Sequence, residues 1–217
     1  LTVCIVQQEP QLRRLLWIDE ASQLAFGPEA RYRYRRLAHP YVVFKVPFLN
    51  GRIIPRTELF YRNEPLRRLS DELYWPNLLN VSPNAYGCKA WICTQYLSKE
   101  AFANGLQSGL HALVTHLWGG GFNRSSEAHE GASGFSKAKA DKLDPRVTDL
   151  DLWEQESVKD PRFILQIQWK PVGLTVRQLI ENELRVHRVL RNLGSTAEWI
   201  NLVLSTANGK SRKMGAD

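Results

Sequence analysis

Residues 80–94 read Asn-Val-Ser-Pro-Asn-Ala-Tyr-Gly-Cys-Lys-Ala-Trp-Ile-Cys-Thr and hold two of the chain's three cysteines. Pro83-Asn84 stands a short turn ahead of Cys93, which follows the apolar step Trp91-Ile92. A nucleophilic thiol needs a donor for the oxyanion it creates, and an asparagine amide is such a donor. The turn marked by Gly87 is expected to fold the Asn84 amide back over the Cys93 sulfur. Cys88, the rival thiol, sits inside the turn beside Lys89, a cation that favours a thiolate. The plainer reading of Cys93 is packing, since free cysteines are among the most buried residues.

Upstream, the chain reads as antiparallel β. Runs 1–6 and 15–18 are short and β-prone, 32–37 alternates arginine with aromatic or apolar residues, and 41–48 is rich in Val, Phe and Tyr. Asn50-Gly51 then signals a tight hairpin, with the returning strand through Ile53-Ile54 and 57–61. Residues 65–84 hold Pro65, Pro76 and Pro83 without a clean period, so they are expected to cross irregularly to the thiol.

Downstream, Phe102, Leu106, Leu110, Leu113, Val114 and Leu117 recur at helical steps and predict a helix over 98–118. Gly105 and Gly109 on one face imply close packing, and Gly119-Gly120-Gly121 ends the helix. Residues 119–148, poor in large apolar groups, read as a flexible insertion. Asp149, Asp151, Glu154 and Glu156 read as a solvated face. Phe163, Leu165, Ile167 and Trp169 alternate as in a strand. Thr175-Val-Arg-Gln178 and Ser195-Thr-Ala-Glu198 have capping-box form and open two terminal helices. The expected organisation is an α+β domain over 1–170, with a helix pair over 171–217 packed on it.

A composition 43% hydrophobic and 24% charged is that of a folded globular chain. No apolar run reaches the roughly 18–20 residues of a membrane span, and the first residues lack a signal-peptide pattern. Three cysteines do not make a secreted disulfide framework. A cytoplasmic protein with reduced thiols is expected. The net charge of +7 is concentrated in Arg31, Arg33, Arg35, Arg36, Arg52, Arg56, Arg62, Arg67 and Arg68. Such a face favours an acidic partner, or is simply a solvated strand face.

His111, His116 and His129 are candidate bases. His116, in the last turn of the predicted helix after Cys93, is the leading one. Cys88, Cys93, His111 and His116 make a poor zinc set. Four residues separate each pair, and helical histidines five apart diverge by roughly 140°. No phosphate loop, dinucleotide fingerprint or Ser-His-Asp arrangement is present.

The order of β-meander, proline-rich crossing, Pro-Asn, turn, Ile-Cys and helix resembles ubiquitin-conjugating enzymes. Their hallmark is His-Pro-Asn ahead of an Ile/Val-Cys step carrying the thioester cysteine. Here Ser82-Pro83-Asn84 takes the tripeptide's place, Gly87 the turn glycine, and Ile92-Cys93 the nucleophile step. Residues 76–94 look like bacterial members of that superfamily, in the family that includes the PRTRC system B protein. Ser82 departs from the histidine, Thr94 from the usual apolar residue, and residues 119–217 have no counterpart. The resemblance implies a ubiquitin-conjugating-like fold with a C-terminal helical extension. It implies that Cys93 takes a ubiquitin-like modifier from an adenylating enzyme as a thioester and passes it to an amine of a target protein. Asn84 and His116 would assist. No cofactor or metal is implied, and such systems include antiviral defence. An inactive partner-binding module of the same fold is the second reading. A basic nucleic-acid-binding protein is the third, with nucleic acid ranked behind protein partners.

Overall fold

The computed structural model describes residues 1–18, 30–94, 97 and 105–192. Contacts divide the chain into two compact units, Leu1–Arg177 and Gln178–Asp217. The first is α+β, its sheets antiparallel except for one short parallel pair.

Four strands open it: β1 (Thr2–Gln8), β2 (Gln11–Ile18), β3 (Tyr32–His39) and β4 (Tyr41–Leu49). One register runs through both of their pairings. Thr2 faces Phe48 and Gln8 faces Val42 in β1–β4, while Gln11 faces His39 and Ile18 faces Tyr32 in β2–β3. Continued through the gap, that register sets Pro10 opposite Pro40. Neither proline has an N–H, so the ladder breaks there. The ribbon thereby passes from a large sheet, holding β1 and β4, to a small one, holding β2 and β3.

Beyond β4, Asn50 and Gly51 have positive φ (51° and 77°), the geometry their dipeptide promises. They lead to β5 (Arg52–Ile53) and then β6 (Glu58–Arg62). The large sheet runs β1-β4-β6 and continues through β7 (Glu72–Tyr74) to β11 (Pro171–Thr175). A hairpin of β8 (Val81–Pro83) and β9 (Ala90–Ile92) joins it where Glu58 pairs with Trp91. The crossing segment 65–84 thus contains two short strands, β7 and β8, that its prolines conceal.

Helix α1 (Gly105–Gly119) matches the described part of the expected helix; residues 98–104 lie outside the described residues. Gly109 packs closely as expected, since a Cβ there would come within 2.9 Å of Phe48. Gly105 differs, having open space around it and a φ of +84° at the helix start.

Residues 119–148, expected to be a flexible insertion, are instead built of short elements. These are β10 (Gly121–Phe122), α2 (Ser125–Glu130), α3 (Gly134–Ala140) and α4 (Pro145–Thr148). The anchors are few but well placed. Phe122, paired in parallel with Trp17, stacks on its ring at 5.3 Å, and Phe135 meets the same ring edge-on at 5.3 Å. Ser133 and Ser136 form a capping box, Gly131 ends α2 at φ 80°, and Asp144-Pro145 opens α4. Small residues here reflect close approach: a Cβ on Gly134 would collide with the Pro76 carbonyl.

The acidic residues of α5 (Leu150–Lys159) are not merely solvated. Asp149 caps the helix, and Arg35 pairs with Asp151 at 2.7 Å and Glu154 at 2.9 Å. The Arg36 N–H donates to Glu154 (2.8 Å), the Ala38 N–H to Ser157 Oγ (2.8 Å), and Trp153 Nε1 to the Ala38 carbonyl (3.1 Å). Side chains of α5 therefore close the open edge of β3, where unpaired backbone would invite another strand.

Residues 163–169 do not form the expected strand. Asp160 caps a 3₁₀ segment, Pro161–Gln166, by accepting from the Arg162 N–H. Phe163, Ile164, Ile167 and Trp169 are all buried, so helical turn and alternation follow each other within seven residues.

Two polar pairs stand in the described interior. Lys45 and Glu58 form a fully buried ion pair at 2.7 Å. His39, also fully buried, lies 2.9 Å from the Tyr61 hydroxyl through Nδ1. Burial, followed by the Arg13 charge, holds its pKa down at about 3, so the ring is neutral.

Helix α6 (Val176–Asn192) begins one residue after Thr175, where its capping signal stands. The unit boundary falls at 177/178 rather than 170/171, because β11 belongs to the large sheet. The second terminal helix, expected from Ser195, lies outside the described residues. Among the described residues no helix is long and apolar enough to cross a membrane.

Candidate active site

The β8–β9 hairpin pairs Val81 with Ile92, Ser82 with Trp91 and Pro83 with Ala90. Its tip is closed by the Asn84 N–H to the Lys89 carbonyl (2.8 Å). Asn84, Tyr86 and Gly87 all have positive φ there, at 59°, 52° and 70°. The buried pair fastens the hairpin to β6. Glu58 Oε1 accepts from the Lys89 and Ala90 N–H groups at 2.5 and 3.3 Å. The Ile92 N–H donates to the Thr57 carbonyl (3.0 Å), and Trp91 Nε1 donates to the Pro55 carbonyl (3.0 Å).

At the other, open end stands Cys93, half-buried, its N–H donating to the Asn80 carbonyl at 3.2 Å. The expected meeting of Asn84 with Cys93 does not occur. Asn84 is exposed at the tip, and four strand steps from Lys89 to Cys93 span about 13 Å. The asparagine beside the thiol is Asn80. Its Nδ2 donates to the Gly121 carbonyl (3.0 Å) and its Oδ1 accepts from the Asn123 N–H (3.0 Å). Asn80 thereby ties the start of β8 to β10 and the loop after it.

Cys93 and Asn80 line a recess of about 250 Å³ with His116, Gly121, Asn123 and Ser125. His116 Nε2 lies 3.2 Å from the Cys93 carbonyl oxygen. A carbonyl only accepts, so this nitrogen carries the proton. His116 therefore holds the cysteine's backbone through Nε2. Asn123 Oδ1 accepts from the Ser125 N–H (2.9 Å) and from the Ser125 hydroxyl. The Tyr32 ring packs on Gly121, where a Cβ would come within 2.5 Å of it. Burial pushes the Tyr32 phenol up, against a hydrogen bond with Asn123 that lowers it.

Of the sequence-predicted site residues, Cys93 and His116 are thus brought together and Asn84 is not. His111 and His129 are exposed and do not line this recess. Cys88 is buried at the tip, at the opposite end of the hairpin from Cys93, so the four-residue zinc set is not gathered. Among the described residues no group of three or more His, Cys, Asp or Glu side chains could hold a metal ion. Asn123 and Ser125 went unseen in a stretch read as flexible. Their signal was Asn-x-Ser, a side-chain turn at the start of a helix.

No protein-family model, curated protein or solved structure matches this chain.

Proposed function

We propose that Cys93 accepts the C-terminal carboxyl of a ubiquitin-like modifier and passes it to an amine, within a ubiquitin-conjugating-like fold. The observation that carries this reading is the seat of Cys93. It stands half-buried at the end of a hairpin on an antiparallel meander, ahead of a helix, and lines a polar recess. In the first step the thiolate attacks the carbonyl of an adenylated carboxyl. A C–S bond forms, the bond to AMP breaks, and the thiol proton goes to solvent. In the second, an amine attacks the thioester, a C–N bond forms, the C–S bond breaks, the thiolate leaves, and the amine's proton passes to the thiolate or to solvent. Both steps need positioning more than strong acid–base help, because a thioester is already reactive toward amines. Asn80 and His116 are assigned as positioning residues that hold the strand and the Cys93 carbonyl.

The test is incubation with an activating enzyme, ATP and modifier, followed by a non-reducing gel. Cys93→Ala should abolish a reductant-sensitive adduct, whereas Cys88→Ala and Cys4→Ala retain it. An adduct that survives in Cys93→Ala overturns the assignment.

A further inference from the structure

A second recess, of about 540 Å³, lies on the other flank of the hairpin, lined by Tyr86, Trp91, Thr94, His129 and Glu130. Side chains alternate along extended backbone, and here Cys93 lines one recess while Thr94 lines the other. Helix α2 contributes to both, Ser125 and Ser126 to the first and His129 and Glu130 to the second.

Two features of this recess stand out, Tyr86 beside Trp91 and the carboxylate of Glu130. Tyr86 is 66% exposed although its backbone is held at a φ of 52°, a strained setting for a bulky residue. Its ring lies 4.6 Å from that of Trp91, whose indole is fixed by Pro55. Glu130 is partly desolvated, and burial raises its pKa. Yet among the described residues no lysine or arginine pairs with it; Ser82 Oγ at 3.5 Å and the neighbouring His129 act on it instead. Arg56 donates to the Tyr86 carbonyl at 2.7 Å. A carboxylate drawn partly out of water, with only the neighbouring imidazole of His129 as a charge acting on it, is costly, and an incoming permanent cation would relieve that cost. Aromatic faces beside it add cation–π attraction.

We infer that this recess binds a cationic side chain, lysine or arginine, of a polypeptide, with Glu130 as counter-ion and Tyr86 and Trp91 as the aromatic wall. Because Thr94 and not Cys93 lines it, the bound cation anchors the polypeptide and is not the amine that reacts. Naming the polypeptide as the acceptor of the modifier rests on the reading of Cys93; the cation site itself does not.

The test is calorimetric titration of the wild-type chain, in reductant without ATP or modifier, with a capped pentapeptide Gly-Gly-Lys-Gly-Gly. The norleucine counterpart, which has the same stem and no charge, is the control. Saturable binding of the lysine peptide is expected, weakened about tenfold in the norleucine peptide, in Glu130→Gln and in Tyr86→Leu. Equal binding of both peptides, or no change in Glu130→Gln, overturns the inference. So does the absence of saturable binding up to about 10 mM. Loading of Cys93 is assayed separately, so loading without peptide binding sinks the cation site alone. Peptide binding without loading sinks the thioester reading alone.

Discussion

The two ends of the β8–β9 hairpin carry the same residue type and treat it in opposite ways. At the open end Asn80 is bonded through both side-chain atoms, to Gly121 and Asn123, and sets Cys93 beside β10. At the tip Asn84 is exposed, in left-handed backbone, with no side-chain bond to the helical turn it precedes. One asparagine acts through its amide and the other through its tolerance of positive φ. Nearness in sequence to a nucleophile therefore says little until the place of the turn is known.

The largest effect should come from the buried pair that fastens the hairpin to β6 near its tip. Glu58→Ala removes the carboxylate paired with the buried Lys45 ammonium and leaves two hairpin N–H groups without their acceptor. A loss of about 3–5 kcal/mol is expected in urea unfolding. A loss under about 1 kcal/mol would show that the pair is not what holds the hairpin.

Next comes Asn80→Ala, which takes the acceptor from the Asn123 N–H and leaves the Gly121 carbonyl with the Asn123 amide as its side-chain donor. It should cost about 1–3 kcal/mol and slow loading of Cys93, read by unfolding and by gel on the same preparation. If Asn80→Ala is silent in both, the contrast between the two asparagines collapses.

A smaller change is expected in His116→Ala, which removes one hydrogen bond to the Cys93 carbonyl, worth about 1 kcal/mol. His116→Gln keeps a donor and should restore most of the loading rate across pH. A base would not be rescued by glutamine, so an unrescued variant with a shifted pH profile would make His116 catalytic.

The smallest effect belongs to Asn84→Gly. Glycine suits a φ of 59°, so stability should move by only about a few tenths of a kcal/mol and discharge to an amine should be unchanged. Discharge slowed about 100-fold would return the oxyanion role to Asn84.

Local patterns were legible where local physics decides. Asn50-Gly51 made its turn, the alternating and β-branched runs made β3, β4 and β6, and the 3.6-residue pattern made α1. Misreadings arose where long-range contacts decide. Residues 119–148 lack apolar mass of their own, but Phe122 and Phe135 find Trp17, more than a hundred positions away. The alternation in 163–169 has two sources, a turn started by Asp160-Pro161 and a buried Ile167 and Trp169 after it.

The candidate site divides along the same line. From sequence alone come the α+β class, the Asn50-Gly51 turn, the start of α6 beside Thr175 and Cys93 as the thiol to examine. These rest on backbone preferences and periodicities that span only a few residues. Which groups surround Cys93 was left to the tertiary structure. Asn80 replaces Asn84 because strand register sets it across from Cys93. His116 arrives on α1, and Asn123 and Ser125 arrive because β10 pairs with β2. Such meetings depend on closing loops of tens of residues against their entropy. That closure is driven by buried area summed over the whole core, which no local stretch of sequence displays.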